Sequence, residues 1–217
     1  MLELAVKSLI AYLIGSVMGA LLVGSLRGVD IRTQGSGNAG GTNALRTQGE
    51  AFALGVVLID VTKGWFAAAI LPSLVLPRVG IDPLVDRLWL ATACALAVTM
   101  GHVYPVWHEF RGGKGAATLV GVIIGLAPVL IPVLILAWLL VVMLSGYVGL
   151  ATMIAVGALP VVLLLRRHVP TPLLSFALAA AVLVVYTHRS NIARMWAGNE
   201  NRVRRLWMLR PDGARRG

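Results

Sequence analysis

Three short polar segments hold most of the residues that could do chemistry in this 217-residue chain. The first, GSGNAGGTNALRTQG at 35–49, is dense in small and flexible residues. Glycines there let backbone N–H groups approach an anion, Ser36, Asn38 and Thr42 add hydroxyl and amide donors, and Arg46 adds charge. A glycine-rich turn capping a short helix through Asn38 or Thr42 would use the same residues. The second segment, RGGKGAAT at 111–118, sets Gly112, Gly113 and Gly115 around Lys114 where a new helix starts. Backbone donors, a helix N-terminus and an ammonium could converge there on one anion. The spacing of a Walker loop is not met, which argues against nucleotide hydrolysis. In the third, HRSNIARMWAGNENR at 188–202, His188 and Asn191 fall one helical turn apart, Arg194 extends that face, and Glu200 follows. A surface amphipathic helix anchored by Trp196 and Trp207 is the competing reading of this segment.

The elements that must position these segments are apolar. Hydrophobic residues make up 58% of the chain, well above a soluble domain, so this is an integral membrane protein. The net charge of +10 then reads as orientation signal and anion ligand rather than as a nucleic-acid surface. Apolar windows suggest spans at about 4–26, 51–76, 86–107, 115–127, 129–144, 147–165 and 172–187. The stretch 115–144 is split in two because Gly125, Pro128 and Pro132 interrupt it, which leaves two short helices. Seven spans with the N-terminus outside put Arg27, Arg32, Arg46, Arg111, Lys114, Arg189, Arg194, Arg202, Arg204, Arg205, Arg210, Arg215 and Arg216 on the inner side. Only Arg78, Arg87, Arg166 and Arg167 then lie outside, as the positive-inside rule favours. The expectation is one all-α polytopic domain over 1–217, with its C-terminus and all three polar segments at the cytoplasmic face. Within the spans, Asp60 and Lys63 could pair across a helical turn facing the interior, and His102 stands near the Lys114 loop as a supporting residue. Cys94, the single cysteine, is read as packing.

This pattern points to a site for phosphate. A transporter or channel for phosphate or an organic phosphate is the non-enzymic alternative, but it would place its site near the midplane and often in repeated halves. A CDP-alcohol phosphotransferase would need clustered acidic metal ligands, and the nine acidic residues show no cluster. No metal and no cofactor is called for.

Taken together, GSGNAGGTNALRTQG, DVTKG at 60–64, GHVYP at 101–105, FRGGKGAAT at 110–118 and HRSNIARMWAGNE at 188–200 resemble the bacterial PlsY family nearly end to end. These are acyl-phosphate:glycerol-3-phosphate acyltransferases of phospholipid synthesis. The resemblance implies a seven-span protein of the bacterial inner membrane, with its site facing the cytoplasm. It would move an acyl group from acyl phosphate to the sn-1 hydroxyl of glycerol 3-phosphate, giving lysophosphatidic acid and phosphate. It assigns essential roles to Ser36 and Arg46, the glycerol-phosphate loop to Gly112, Gly113, Lys114 and Gly115, site roles to His188 and Asn191, and a structural role to Glu200. Gly41, Arg111 and Arg202 depart from the usual Ala, Lys and Lys but keep size class or charge. The general base stays open between His188 and a substrate phosphate that His188 orients. Acyl-chain preference, use of acyl-CoA and oligomeric state are not read from the sequence, and a monomer is compatible with it.

Overall fold

The first apolar run, expected to be a single helix, is broken in the computed structural model, which describes residues 1–203 and 206–209. Helix α1 (Leu2–Gly15) stops three residues before α2 (Gly19–Ser25) begins, and their axes differ by 46°. The freed backbone groups are taken up by α4 (Glu50–Trp65). Lys63 Nζ donates to the carbonyls of Gly15 at 3.0 Å and Val17 at 2.7 Å, while Asp60 Oδ1 accepts from Gly19 N–H at 3.3 Å. An ammonium therefore caps the carbonyl end of α1, and a carboxylate meets the amide end of α2. Each sits at the terminus whose dipole favours it. The two charges close on each other at 2.9 Å. Irregular backbone is tolerated in an apolar bundle because its polar groups are satisfied in this way.

The remaining helices are α3 (Gly41–Gln48), α5 (Arg87–Val103), α6 (Ala116–Leu126), α7 (Ile131–Ser145), α8 (Val148–Leu164), α9 (Thr171–Thr187) and α10 (Arg189–Trp196), with no strand among the described residues. By length and hydropathy Glu50–Ser73, Arg87–His108 and Pro128–Ser145 are long enough to span a membrane. The number rises from 3 to 5 if the bent pairs α1–α2 and α9–α10 each count as one span, and α6 and α8 are apolar but shorter. Helix α6 ends where Ala127 leaves helical geometry at φ −155°, and Pro132 sits in the first turn of α7. Of these two, however, only α6 is short. A 3-10 turn at Pro128–Leu130 runs on into α7 and brings that piece to 18 residues, so the expectation of two short helices is corrected for the second. Arg204, Arg205, Arg210, Arg215 and Arg216, used in the charge count, lie outside the described residues.

The chain divides into two compact units, Met1–Pro128 with Pro170–Phe176, and Val129–Val169 with the described residues from Ala177 on. In the first unit helices cross on glycine. A Cβ on Gly15 would strike the Val98 carbonyl and one on Gly101 the Tyr12 carbonyl, so α1 and α5 touch backbone to backbone. Gly64 and Gly121 do the same for α4 and α6 against the carbonyls of Thr118 and Val61. Between apolar helices in lipid, such close approach supplies the packing that hydrophobic burial cannot. Cys94 is buried in α5.

The first unit also holds a charge cluster that the sequence reading missed. Lys7 Nζ donates to Glu3 Oε1 and to the Pro72 carbonyl, both at 2.7 Å, and the side chains of Lys7 and Glu3 are 0% exposed. Arg87 forks onto both Glu3 oxygens at 2.8 Å. In the second unit α7 packs along α8, and the chain beyond α10 returns to the turn between them. There Val203 N–H donates to the Gly146 carbonyl at 2.8 Å, and the Arg202 guanidinium lies 4.4 Å and 4.1 Å from the rings of Tyr147 and Trp207.

Candidate active site

The loop carrying the first polar segment is shaped by a residue that the sequence reading did not single out. Buried Asn43, in the first turn of α3, donates to the carbonyls of Ile31 at 3.3 Å and Gln34 at 3.0 Å, and accepts from Ser36 N–H at 2.9 Å. Gly35 and Gly37 take φ of 55° and 71°, a left-handed backbone that side-chain-bearing residues rarely adopt, so the loop can double back over Asn43. The N-cap of α3 is Gly40 without a side-chain cap, so neither Asn38 nor Thr42 caps it. Ser36, Thr42 and Arg46 are exposed and Asn38 is half-buried, while Ala39 is fully buried. The nearby Arg32 is spoken for, since its guanidinium holds Asp30 at 2.8 Å and keeps that carboxyl below its usual pKa.

The second segment joins α5 to α6. Gly112 N–H donates to the Val103 carbonyl at 3.2 Å and Gly113 N–H to the His102 carbonyl at 3.1 Å, so this loop caps the C-terminus of α5. Those two amides point into the fold, which corrects the expectation that they would face an anion. Donors remain at the start of α6, where the N–H groups of Ala116, Ala117 and Thr118 have no acceptor within their own helix. Gly115 is the N-cap at φ 85°, and Lys114, half-buried, immediately precedes it. A Cβ on Gly113 would strike the His102 ring and lie 3.1 Å from the Ala39 carbonyl. The first and second segments therefore abut at Gly113, with His102 on the inner side. His102 Nδ1 is 3.0 Å from Lys63 Nζ, which links it to the Asp60–Lys63 pair.

The third segment lies in the second unit. His188 is buried at the N-cap of α10, where the axis turns by 51° from α9. Its Nδ1 is 2.9 Å from the Val184 carbonyl, an atom that only accepts. Nδ1 is therefore the protonated nitrogen in that bond, and in the neutral ring Nε2 carries the lone pair. Asn191 is buried against Gly149 of α8, where a Cβ would lie 2.9 Å from its Nδ2. Glu200 binds Asn191 Nδ2 at 2.9 Å and Arg194 Nε at 2.6 Å, so its carboxylate holds the amide in one orientation and occupies Arg194. Glycine at 149 and the Asn191–Glu200 bond were not legible, because a nine-residue separation and a different helix carry no local pattern. Trp196 is 88% exposed. Among the described residues no three of His, Cys, Asp and Glu gather into a metal-sized group.

Comparison with known proteins bears on what this arrangement does. Residues 5–198 match the family model for glycerol-3-phosphate acyltransferase. The chain is 37% identical to the glycerol-3-phosphate acyltransferase of Chlorobaculum tepidum, over 89% of this chain and 94% of that one. It is 35% identical to that of Chlorobium phaeobacteroides, over 94% and 98% of the two chains. Among solved structures it is similar to PlsY (YgiH), an integral membrane glycerol 3-phosphate acyltransferase, in its glycerol 3-phosphate form. The TM-score is 0.79 and the identity 34%, over 92% of this chain and 94% of that one.

Proposed function

Because the chain belongs to the glycerol-3-phosphate acyltransferase family, we propose that it acylates the sn-1 hydroxyl of glycerol 3-phosphate from an acyl phosphate. The products are 1-acyl-glycerol 3-phosphate and inorganic phosphate, and the reaction is the first acylation of phospholipid synthesis. The observation that carries this reading is the meeting of the first two polar segments at Gly113, beside Lys114 and the start of an 11-residue helix. Such a junction offers an ammonium and the first-turn amides of α6 to a dianion, with hydroxyl and amide donors from 35–42 alongside.

In the proposed reaction, Lys114, Gly115 and the first turn of α6 take the phosphate of glycerol 3-phosphate, with Gly112 and Gly113 shaping that loop through their bonds to α5. Arg46, Asn38 and Thr42 serve substrate oxygens, and Ser36 donates to the acyl phosphate. The substrate hydroxyl attacks the acyl carbonyl carbon, the bond from that carbon to the phosphate oxygen breaks, and phosphate leaves. The hydroxyl proton goes to His188 Nε2 or to a phosphate oxygen that His188 orients. The tautomer set by the Val184 carbonyl supports a role for Nε2 as acceptor. Asn191 orients substrate, and Glu200 holds Asn191. The chain is read as one polytopic domain of seven spans in the bacterial inner membrane, N-terminus outside, with the site facing the cytoplasm. Lys/Arg placement supports that orientation.

Purified protein given acyl phosphate and labelled glycerol 3-phosphate, with acyl-CoA and acyl carrier protein as comparison donors, tests the reading. Labelled lysophosphatidic acid from acyl phosphate is expected. Product from acyl-CoA alone would overturn the donor, and no product from any donor would overturn the activity.

A further inference from the structure

The cluster beneath the Gly113 junction is larger than the break between α1 and α2 requires. Four groups surround Lys63 Nζ: Asp60 Oδ1 at 2.9 Å, the carbonyls of Gly15 and Val17, and His102 Nδ1 at 3.0 Å. The Nδ1 side of the ring is thus held against both charges of the pair, Lys63 Nζ at 3.0 Å and Asp60 Oδ1 at 3.4 Å.

The Nε2 side of the ring faces the loop. It is the atom nearest to where a Cβ on Gly113 would stand, and the carbonyl of the same histidine accepts from Gly113 N–H at 3.1 Å. Ring and backbone of one residue thus define where Gly113 lies. The loop needs such an outside determinant. Just before it, Glu109 and Phe110 take φ of 57° and 58°, a region that residues with side chains seldom occupy, so the local sequence does not prefer this path.

We propose that His102 is a positioning residue for the glycerol 3-phosphate loop. Lys63 fixes its ring, the ring and carbonyl fix Gly113, and the broken first span thereby sets the placement of Lys114 and of the start of α6. The inference rests on reading 111–115 as the loop that takes the substrate phosphate.

The test uses the full chain in detergent, with His102→Ala and His102→Gln. A glutamine side chain can reach the place that Nε2 fills against Gly113, and alanine cannot. Glycerol 3-phosphate binding by calorimetry, kcat and KM for each substrate, and the thermal midpoint are measured on both. His102→Ala is expected to weaken glycerol 3-phosphate binding and raise its KM roughly ten- to a hundred-fold, as misplacement of about an ångström does. The KM for acyl phosphate should stay near wild type, and His102→Gln should regain most of the lost affinity. Two variants that bind glycerol 3-phosphate like wild type overturn the inference, as do two that lose binding equally and only in step with the thermal midpoint. If His102→Ala does not fold, Gly113→Ala replaces it, since its added methyl pushes the loop off an intact ring. A wild-type KM in that variant also overturns the proposal. Wild-type protein that binds glycerol 3-phosphate but acylates it from no donor removes the proposed reaction instead, and leaves the binding comparison to decide this one.

Discussion

Two buried acid–lysine pairs lie in the first unit, and they are built differently. Glu3 spreads its bonds over both oxygens, with Lys7 and Arg87 on Oε1, and Arg87 and the Asp82 N–H on Oε2. Its lysine ends on a carbonyl of another element, Pro72. That cluster is closed. Asp60 instead places its bonds to Lys63 and Gly19 on Oδ1, while Oδ2 is buried with no hydrogen-bond partner. The saturated pair staples helix ends. The open one holds a helix break and a histidine against the loop that carries Lys114.

If that contrast is right, losses should separate by the quantity in which they appear. The largest effect belongs to a group in neither cluster. His188→Ala with saturating substrates is expected to lower kcat about 10²–10⁴-fold with little change in thermal midpoint, as loss of a general base does. Near-normal turnover would exclude the base role and assign the proton to a substrate phosphate.

Lys63→Met comes next, with kcat/KM for glycerol 3-phosphate expected to fall roughly ten- to a hundred-fold as the loop loses its support. Lys7→Met, the matching change in the closed cluster, should leave both KM values at wild type because Glu3 keeps Arg87. Steady-state kinetics on the two variants side by side would break the comparison if they behaved alike. Glu3→Ala strands Lys7 without an anionic partner and is expected to lower the thermal midpoint by roughly 6–12 °C while sparing KM.

The smallest effect is on pH dependence. Asp30 is held below its usual pKa by Arg32, so it stabilises the fold above the unfolded-state pKa, and that contribution fades as pH falls through the folded value. The difference in thermal midpoint between wild type and Asp30→Asn should therefore shrink on going from about pH 5 to pH 3. A constant difference over that range would show that the Arg32 pair contributes nothing.

Much of this could be read from residue order. Charges three apart on an apolar helix have to meet or be buried alone, so the Asp60–Lys63 pair was legible. So was the break before α7, because proline cannot continue a helix. The break between α1 and α2 was not, since Ser16, Val17 and Met18 contain no breaker, and the carbonyls of Gly15 and Val17 are matched by Lys63, 48 and 46 residues further along. Glu3 and Lys7, at i and i+4, did offer a signal, and it was passed over because Glu3 falls just outside the apolar window.

By itself the sequence determined the membrane class, the three polar segments with Ser36, Arg46, Lys114, His188 and Asn191, and the family. Composition and local spacing are properties of the chain alone. Only the tertiary structure decided that the Gly112 and Gly113 amides turn inward to cap α5, that Asn43 shapes the first loop, and that the His102 ring backs Gly113. Each of these depends on how a loop folds back on groups some seven to twelve residues away, which local composition and spacing do not specify.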